Sequence, residues 1–200
     1  MKWAVSTEGI CDFMNIKKAI AKLKEQDDLG NTYLITYKYI IDFKYDYKKD
    51  KDILNCLFAV YSWTPSALIL HVNKKKDFFI ELIKSELKYI IALEKKKDYG
   101  SMIVHFENLT EIIDNSSIGV SKFLHFLFPD KFPIFDSKIL KNLRGIGNSP
   151  VGYIKYLSLI DKNLESQKEY ISVFKTEFKK NYNYEISDIR ACELILFLNA

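Results

Sequence analysis

Apolar residues recur at three- and four-residue steps along most of this chain, which is the spacing of the buried face of an α-helix. Between Tyr33 and Tyr47, for example, the apolar positions Leu34, Tyr37 and Ile41 follow this spacing. The pattern predicts helices over residues 12–26, 33–47, 50–62, 76–96, 107–114, 121–128, 136–143, 150–161, 165–180 and 187–198. No internal repeat, low-complexity linker or ladder of alternating strand positions interrupts it. The chain is therefore predicted to be all-α, a two-lobed helical bundle.

The length of 200 residues fits one helical domain over 1–200, with 1–100 and 101–200 as candidate lobes. Thirty basic residues face 26 acidic ones, so the net charge is +4. This mild basic excess permits a nucleic-acid partner without requiring one. Only Arg144 and Arg190 are arginines, and they are better candidates than the many lysines wherever a bidentate guanidinium is needed.

The three cysteines and three histidines are scattered, and no Cys-x-x-Cys element is present. This spacing favours neither a zinc site nor a disulfide framework, so no metal or other cofactor is expected. The first residues carry no signal-peptide pattern, and no apolar run reaches the roughly 20 residues that span a bilayer. We therefore expect a cytoplasmic protein without a membrane partner.

The most informative stretch is residues 107–143, which reads as helix, short polar turn, helix, proline-bracketed link, aspartate and helix. The turn contains Gly119, and Lys122 follows it three residues later. Pro129 and Pro133 bracket the link, and Asp136 opens the next helix.

This stretch resembles the catalytic segment of the helix-hairpin-helix DNA glycosylases, most closely the branch that includes the 8-oxoguanine glycosylases. In that superfamily a hairpin is followed by a lysine, and a proline precedes the catalytic aspartate. Lys122 and Asp136 occupy these positions, and the resemblance covers about forty residues. The chain departs from the family in having one hairpin glycine instead of two and in placing Asp136 only 14 positions after Lys122, a shorter separation than usual.

The resemblance implies that Lys122 and Asp136 are the catalytic residues. A partly desolvated lysine can attack C1′ and form a Schiff base, and a carboxylate stabilises the positive charge that develops on the sugar. Phosphate contacts are expected from Ser117, Gly119 and Ser121 at the turn and from Lys141 and Arg144 near the following helix. Trp63 and His125 are candidates for the wedge or the pocket of a flipped base.

Each of these residues also has a purely structural interpretation. Asp136 is suited to cap a helix, and Lys122 could be a solvated surface lysine. His125 and Trp63 could belong to the core. Arg190 and Glu193, three residues apart on the last helix, are predicted to form a structural ion pair.

The predicted function is that of a monomeric DNA glycosylase that removes a modified or damaged base from double-stranded DNA, with Schiff-base lyase activity as a further expectation. The chain also resembles compact bacterial glycosylases that act in defence against phages. This resemblance implies a role against modified phage DNA and a location at a bacterial nucleoid. The alternative is a non-catalytic DNA-binding module with the same helix-hairpin-helix element, because a fold does not determine a function. If both Lys122 and Asp136 face one cavity, the enzyme is favoured.

Overall fold

The structure is a computed structural model that describes residues 15–63, 68–70, 78–143 and 145–200. Within these ranges the chain is all-α, as predicted, and its only extended pairing is an isolated antiparallel bridge between Leu70 and Ile113. The helices are α1 (Ile16–Lys24), α2 (Asp28–Ile41), α3 (Asp50–Trp63), α4 (Phe79–Lys95), α5 (Tyr99–Ile112), α6 (Ser117–Leu127), α7 (Ser137–Asn142), α8 (Pro150–Ser166), α9 (Lys168–Tyr182) and α10 (Asp188–Asn199).

Most of these helices begin at a polar side chain that accepts a hydrogen bond from a backbone N–H of the first turn. Such a cap satisfies a donor that has no partner within the helix. The capping residues are Asn15, Asp27, Asp98, Ser116, Asp136, Ser149 and Ser187. The helix starts therefore follow local chemistry that is visible in the sequence.

Three predicted boundaries are wrong because such caps act earlier in the chain than the apolar pattern suggests. Asp27 accepts from the Gly30 N–H at 2.7 Å, so α2 begins at Asp28, five residues before the predicted start at residue 33. Asp98 starts α5 at Tyr99, eight residues before the predicted start at residue 107. Ser116 starts α6 at Ser117, so the predicted turn is already helical from there.

The link between α5 and α6 is a tight turn in which Asp114 and Asn115 both have positive φ, at 54° and 47°. Aspartate and asparagine are the non-glycine residues that adopt this left-handed conformation most readily. The turn is held against the segment 68–70 by a 2.9 Å hydrogen bond from the Asp114 N–H to the Ile69 carbonyl. Its identity as a helix-hairpin-helix element stays a prediction.

The buried apolar side chains form one continuous core, and its centre is built from α6 and α10. In α6 every residue but Ile118 is buried, and α10 is buried along most of its length. Helix α1 packs on α9 and α10, α3 packs on α6, and α4 packs on α5. These contacts cross residue 100 and bring the start of the chain against its end.

Candidate active site

A cavity of about 570 Å³ lies between the α1–α2 corner, the α6–α7 region and α10. Its charged lining includes Lys122, Asp136, Lys138, Arg190 and Glu193. Its aromatic lining consists of Tyr33, Trp63 and Phe197. Aromatic walls with a few converging polar groups are typical of small-molecule pockets, and this volume lies within their range of roughly 300–1,000 Å³.

Lys122 and Asp136 both line this cavity although they are 14 positions apart in the chain. The lysine projects from α6, and the aspartate stands at the start of α7. The structure contains no ion pair of 4.0 Å or less between them. The two side chains thus share one cavity without neutralising each other through a direct contact.

The Lys122 ammonium group is largely withdrawn from water, since the residue is only 9% exposed. Burial lowers the pKa of Lys122, although the carboxylates of Asp136 and Glu193 oppose this change; the nearby Arg190 cation lowers the pKa further. Its Nζ lies 5.8 Å from the centre of the Trp63 ring. The interpretation of Lys122 as a solvated surface residue is therefore wrong.

Asp136 caps α7 through Oδ1, which accepts from the Lys138 N–H at 2.8 Å. Its backbone is extended, with φ −122° and ψ 150°, as is usual for a capping residue. The capping interpretation is confirmed, and it coexists with a position on the cavity wall. The hydrogen bond fixes the carboxylate in place, and the second oxygen stays available to a bound molecule.

Trp63 also lines the cavity, at the end of α3. The indole N–H donates to Thr36 Oγ1 at 3.2 Å, and the ring meets Tyr33 and Phe126 edge to face. The side chain is half-buried and held from several sides. This geometry is that of a rigid pocket wall and not of a free wedge.

His125 lies in the core and does not line the cavity, which corrects its assignment to a base pocket. Its Nδ1 lies 2.6 Å from the Phe132 carbonyl, and its Nε2 lies 2.6 Å from the Tyr37 hydroxyl. A carbonyl can only accept, so Nδ1 carries the proton and Nε2 accepts from Tyr37. Burial, with a contribution from Arg190, lowers the pKa of His125 to about 3, which agrees with a neutral ring.

The turn residues expected to hold phosphate lie inside the fold. Ser121 is fully buried, and its hydroxyl is used by internal hydrogen bonds, so it cannot contact DNA. Gly119 donates its N–H to Ser116 Oγ at 3.0 Å, and a Cβ at this position would come within 2.6 Å of the Tyr61 hydroxyl. Ser117 is only 4% exposed. These placements correct the expectation of a phosphate cradle at these three residues.

The two basic residues expected to contact phosphate are Lys141 and Arg144, and their outcomes differ. Lys141 is exposed in the last turn of α7, where a cation can reach a ligand on the surface. Arg144 lies outside the described residues. Lys138, which was not predicted as a site residue, lines the cavity with its Nζ 4.7 Å from the Phe197 ring centre.

Arg190 and Glu193 form the predicted ion pair, through Nη1 and Oε2. Both residues also line the cavity. This position was not predicted, because the pair was interpreted only as structural support. The available signal was the presence of two opposite charges within the largely apolar run that follows Asp188 in the final helix. Such charges are rarely buried without a reason beyond packing.

Metal-ligand clusters and membrane-spanning helices are both absent from the part of the chain that the structure describes. No group of three or more His, Cys, Asp or Glu side chains there could hold a metal ion. No helix there is both long and apolar enough to cross a membrane. Cys56 and Cys192 are buried free thiols, and burial raises the pKa of both.

Comparison of the chain with protein-family models, with curated proteins and with solved structures gives no match.

Proposed function

We propose that this chain is a DNA glycosylase of the helix-hairpin-helix superfamily that removes a modified or damaged base from double-stranded DNA. In this proposal Lys122 is the nucleophile and Asp136 stabilises the charge on the sugar. The observation that carries the proposal is that both side chains line one cavity whose walls include Trp63. A cavity shared by these two side chains is what favours an enzyme over a non-catalytic DNA-binding module.

Lys122 is suited to nucleophilic attack because burial favours its neutral amine. In the proposed reaction the amine forms a bond to C1′, and the C1′–N bond breaks with its electron pair leaving on the base, which takes up a proton. Loss of a proton from the nitrogen and opening of the C1′–O4′ bond then give the imine, with O4′ protonated. Removal of a C2′ proton from this imine would form a C2′–C3′ double bond as the C3′–O bond breaks, so that the 3′ phosphate leaves and the strand is cleaved.

Asp136 supplies negative charge where the sugar becomes positive as the glycosidic bond breaks. The hydrogen bond from the Lys138 N–H holds its carboxylate at the start of α7 before any substrate arrives. A carboxylate fixed in this way needs little reorganisation in the transition state, and such preorganisation is the main source of electrostatic catalysis. The carboxylate can also orient water if the imine is not formed.

The base must leave the duplex stack before it can reach these side chains. Tyr33, Trp63 and Phe197 on the cavity wall offer aromatic faces for a flipped base. The neighbouring Lys141 is the described residue that we assign to the DNA backbone, since its side chain is exposed beside the cavity helix α7. We expect a monomer to suffice, and defence against modified phage DNA is one setting for this activity.

The test is incubation of the purified chain with duplexes that contain damaged, modified or ordinary bases, followed by measurement of abasic sites and free base. The proposal expects release of at least one base and slower release at high salt, because backbone contacts displace counterions. Salt-dependent duplex binding without release from any member of the panel would favour the non-catalytic binding module instead.

A further inference from the structure

Arg190 and Glu193 stand on the cavity side of α10 and are almost completely withdrawn from solvent, at 4% and 2% exposure. Their Nη1–Oε2 contact joins two charges that are three residues apart on the same helix. The Tyr37 ring lies beneath the guanidinium, 4.5 Å from Cζ. One face of the guanidinium is therefore covered and Nη1 is occupied, which leaves the edge formed by Nε and Nη2.

The Nε–H group of Arg190 is buried and has no hydrogen-bond partner. Among the described residues, the hydrogen bonds of this side chain use Nη1 alone, and those of Glu193 use Oε2 alone. A buried donor without an acceptor destabilises the fold, and a charged donor does so more strongly. A buried ion pair is itself a weak source of stability. The hydrogen bonding of the pair is thus incomplete, and a bound molecule can complete it if the guanidinium edge shifts towards the cavity that the side chain lines.

We propose, on the basis of the glycosylase function proposed above, that Arg190 and Glu193 recognise the flipped base through an edge that places a carbonyl oxygen beside a ring N–H. Arg190 donates to the carbonyl, and the free oxygen of Glu193 accepts from the ring N–H. The pair is then the specificity determinant of the cavity, while Lys122 and Asp136 act on the sugar.

The preference for this edge follows from the hydrogen-bonding inventory of the pair. In a guanidinium, Nε–H and one N–H of Nη2 point to the same side, so this edge presents two parallel donors. A carbonyl oxygen has two lone pairs and can accept both, whereas a ring nitrogen has one. An ionised carboxylate can only accept, so it pairs with a ring N–H. Hypoxanthine, guanine, thymine and uracil rings carry this edge, and adenine and cytosine rings do not.

The ionisation of Glu193 determines the pH at which the proposal has to be tested. Burial raises the pKa of Glu193 to about 7, although Arg190 opposes this change. Asp136 raises the pKa further, and Lys122 lowers it. At pH 8 the carboxylate form predominates, and the pair then offers donors and an acceptor side by side.

The experiment measures binding of 9-methylhypoxanthine and 1,9-dimethylhypoxanthine to the full chain at pH 8. The two compounds differ in the ring N–H alone, which a methyl group replaces in the second. Because the chain has only two arginines, its ¹H–¹⁵N spectrum contains two Arg Nε–H signals. The signal that is lost in the Arg190→Lys variant is the Nε–H signal of Arg190. If that variant does not fold, the signal lost in Arg144→Lys belongs to Arg144, and the remaining signal is that of Arg190.

The expected result is that 9-methylhypoxanthine shifts the Arg190 Nε–H signal and binds at least about tenfold more tightly than the dimethyl compound and 9-methyladenine. Glu193→Gln should weaken 9-methylhypoxanthine binding about tenfold and remove the discrimination. Asp188→Asn is the matched control, because Asp188 lies on the same helix as Glu193, pairs with Lys175 of α9 and is not part of the cavity lining. This variant should bind 9-methylhypoxanthine and the dimethyl compound with the same affinities as the parent.

Equal affinity for the two hypoxanthines, or an unchanged Arg190 Nε–H signal at millimolar 9-methylhypoxanthine, would overturn the proposal. This readout does not depend on catalysis. If the chain discriminates the two compounds but releases no base from DNA, the recognition role of Arg190 and Glu193 stands and the proposed glycosylase activity fails. A chain that releases a base without the discrimination is a glycosylase that reads its base through other residues.

Discussion

The hydroxyl of Ser121 accepts a 2.9 Å hydrogen bond from the backbone N–H of Phe135. Each of these residues directly precedes one of the two proposed catalytic residues, Lys122 and Asp136. The same hydroxyl lies 2.7 Å from the Ile118 carbonyl, to which it donates within α6. One buried side chain therefore joins α6 to the link that leads to α7, at the point where both proposed catalytic residues emerge.

Ser121→Ala removes this connection and leaves the Phe135 N–H buried without an acceptor. We expect the free energy of unfolding to fall by about 1–3 kcal/mol, the usual cost of an unsatisfied buried donor. Urea unfolding at pH 7 measures the change. Ser172→Ala on the exposed surface of α9 is the control and should leave stability within about 0.5 kcal/mol of the parent. Equal stability of the two variants would contradict the structural role of Ser121.

Asp136→Asn should abolish most base release without unfolding the protein. Asparagine caps a helix about as well as aspartate, so α7 keeps its cap while the cavity loses a negative charge. We expect base release to slow by about 100- to 1,000-fold, the usual effect of removing one preorganised electrostatic group. Asp98→Asn removes a charge from the cap of α5 and is the matched control. Base release by the Asp136 variant at the parental rate would disprove the proposed role.

Lys122 should be trapped on DNA by borohydride if it forms an imine with the sugar. The parent protein is expected to give a stable covalent adduct, and Lys122→Gln to give none. Lys138→Gln is the control because Lys138 lines the same cavity but has no role in the proposed reaction. If the parent releases base and is never trapped, Asp136 activates water and Lys122 is not the nucleophile. If the control alone loses trapping, Lys138 is the nucleophile.

His125 should make the fold sensitive to acid. Its pKa falls from about 6.5 in the unfolded chain to about 3 in the fold, so the unfolded chain binds more protons between these values. The stability that this group contributes is complete above pH 6.5 and is lost as the pH falls towards 3, with a slope of up to about 1.4 kcal/mol per pH unit. Urea unfolding at several pH values measures the slope.

A His125→Gln variant tests whether His125 causes this slope. The variant should be less stable than the parent at pH 7, because it loses the bonds to Tyr37 and Phe132. Its stability should change less between pH 6.5 and pH 4 than that of the parent. His105→Gln is the control, since His105 pairs with Glu86 at the surface of the bundle. Parallel pH profiles for the parent and His125→Gln would show that another group titrates.

Local chemistry explains how much of the fold could be predicted. The three- and four-residue spacing and the capping side chains act over a few residues, so the helices and their class follow from the sequence. The start of α5 was missed because the apolar spacing does not reveal the Asp98 cap, which begins the helix at Tyr99. The positive φ of Lys97, 57°, separates α4 from α5, and lysine carries no local signature for that conformation.

The candidate site divides in the same way. Lys122 and Asp136 could be identified from a short segment, because their order and the prolines between α6 and α7 are local features. Trp63 could also be named as a candidate, but its place beside Lys122 could not, because α3 is far from α6 in the chain. The cavity positions of Arg190 and Glu193 were missed altogether, because both come from the distant helix α10. The burial of α6 and α10 in one core brings these residues to the same cavity. That burial also turned His125 and Ser121 inward, since a helix buried on nearly all sides has no surface face for DNA.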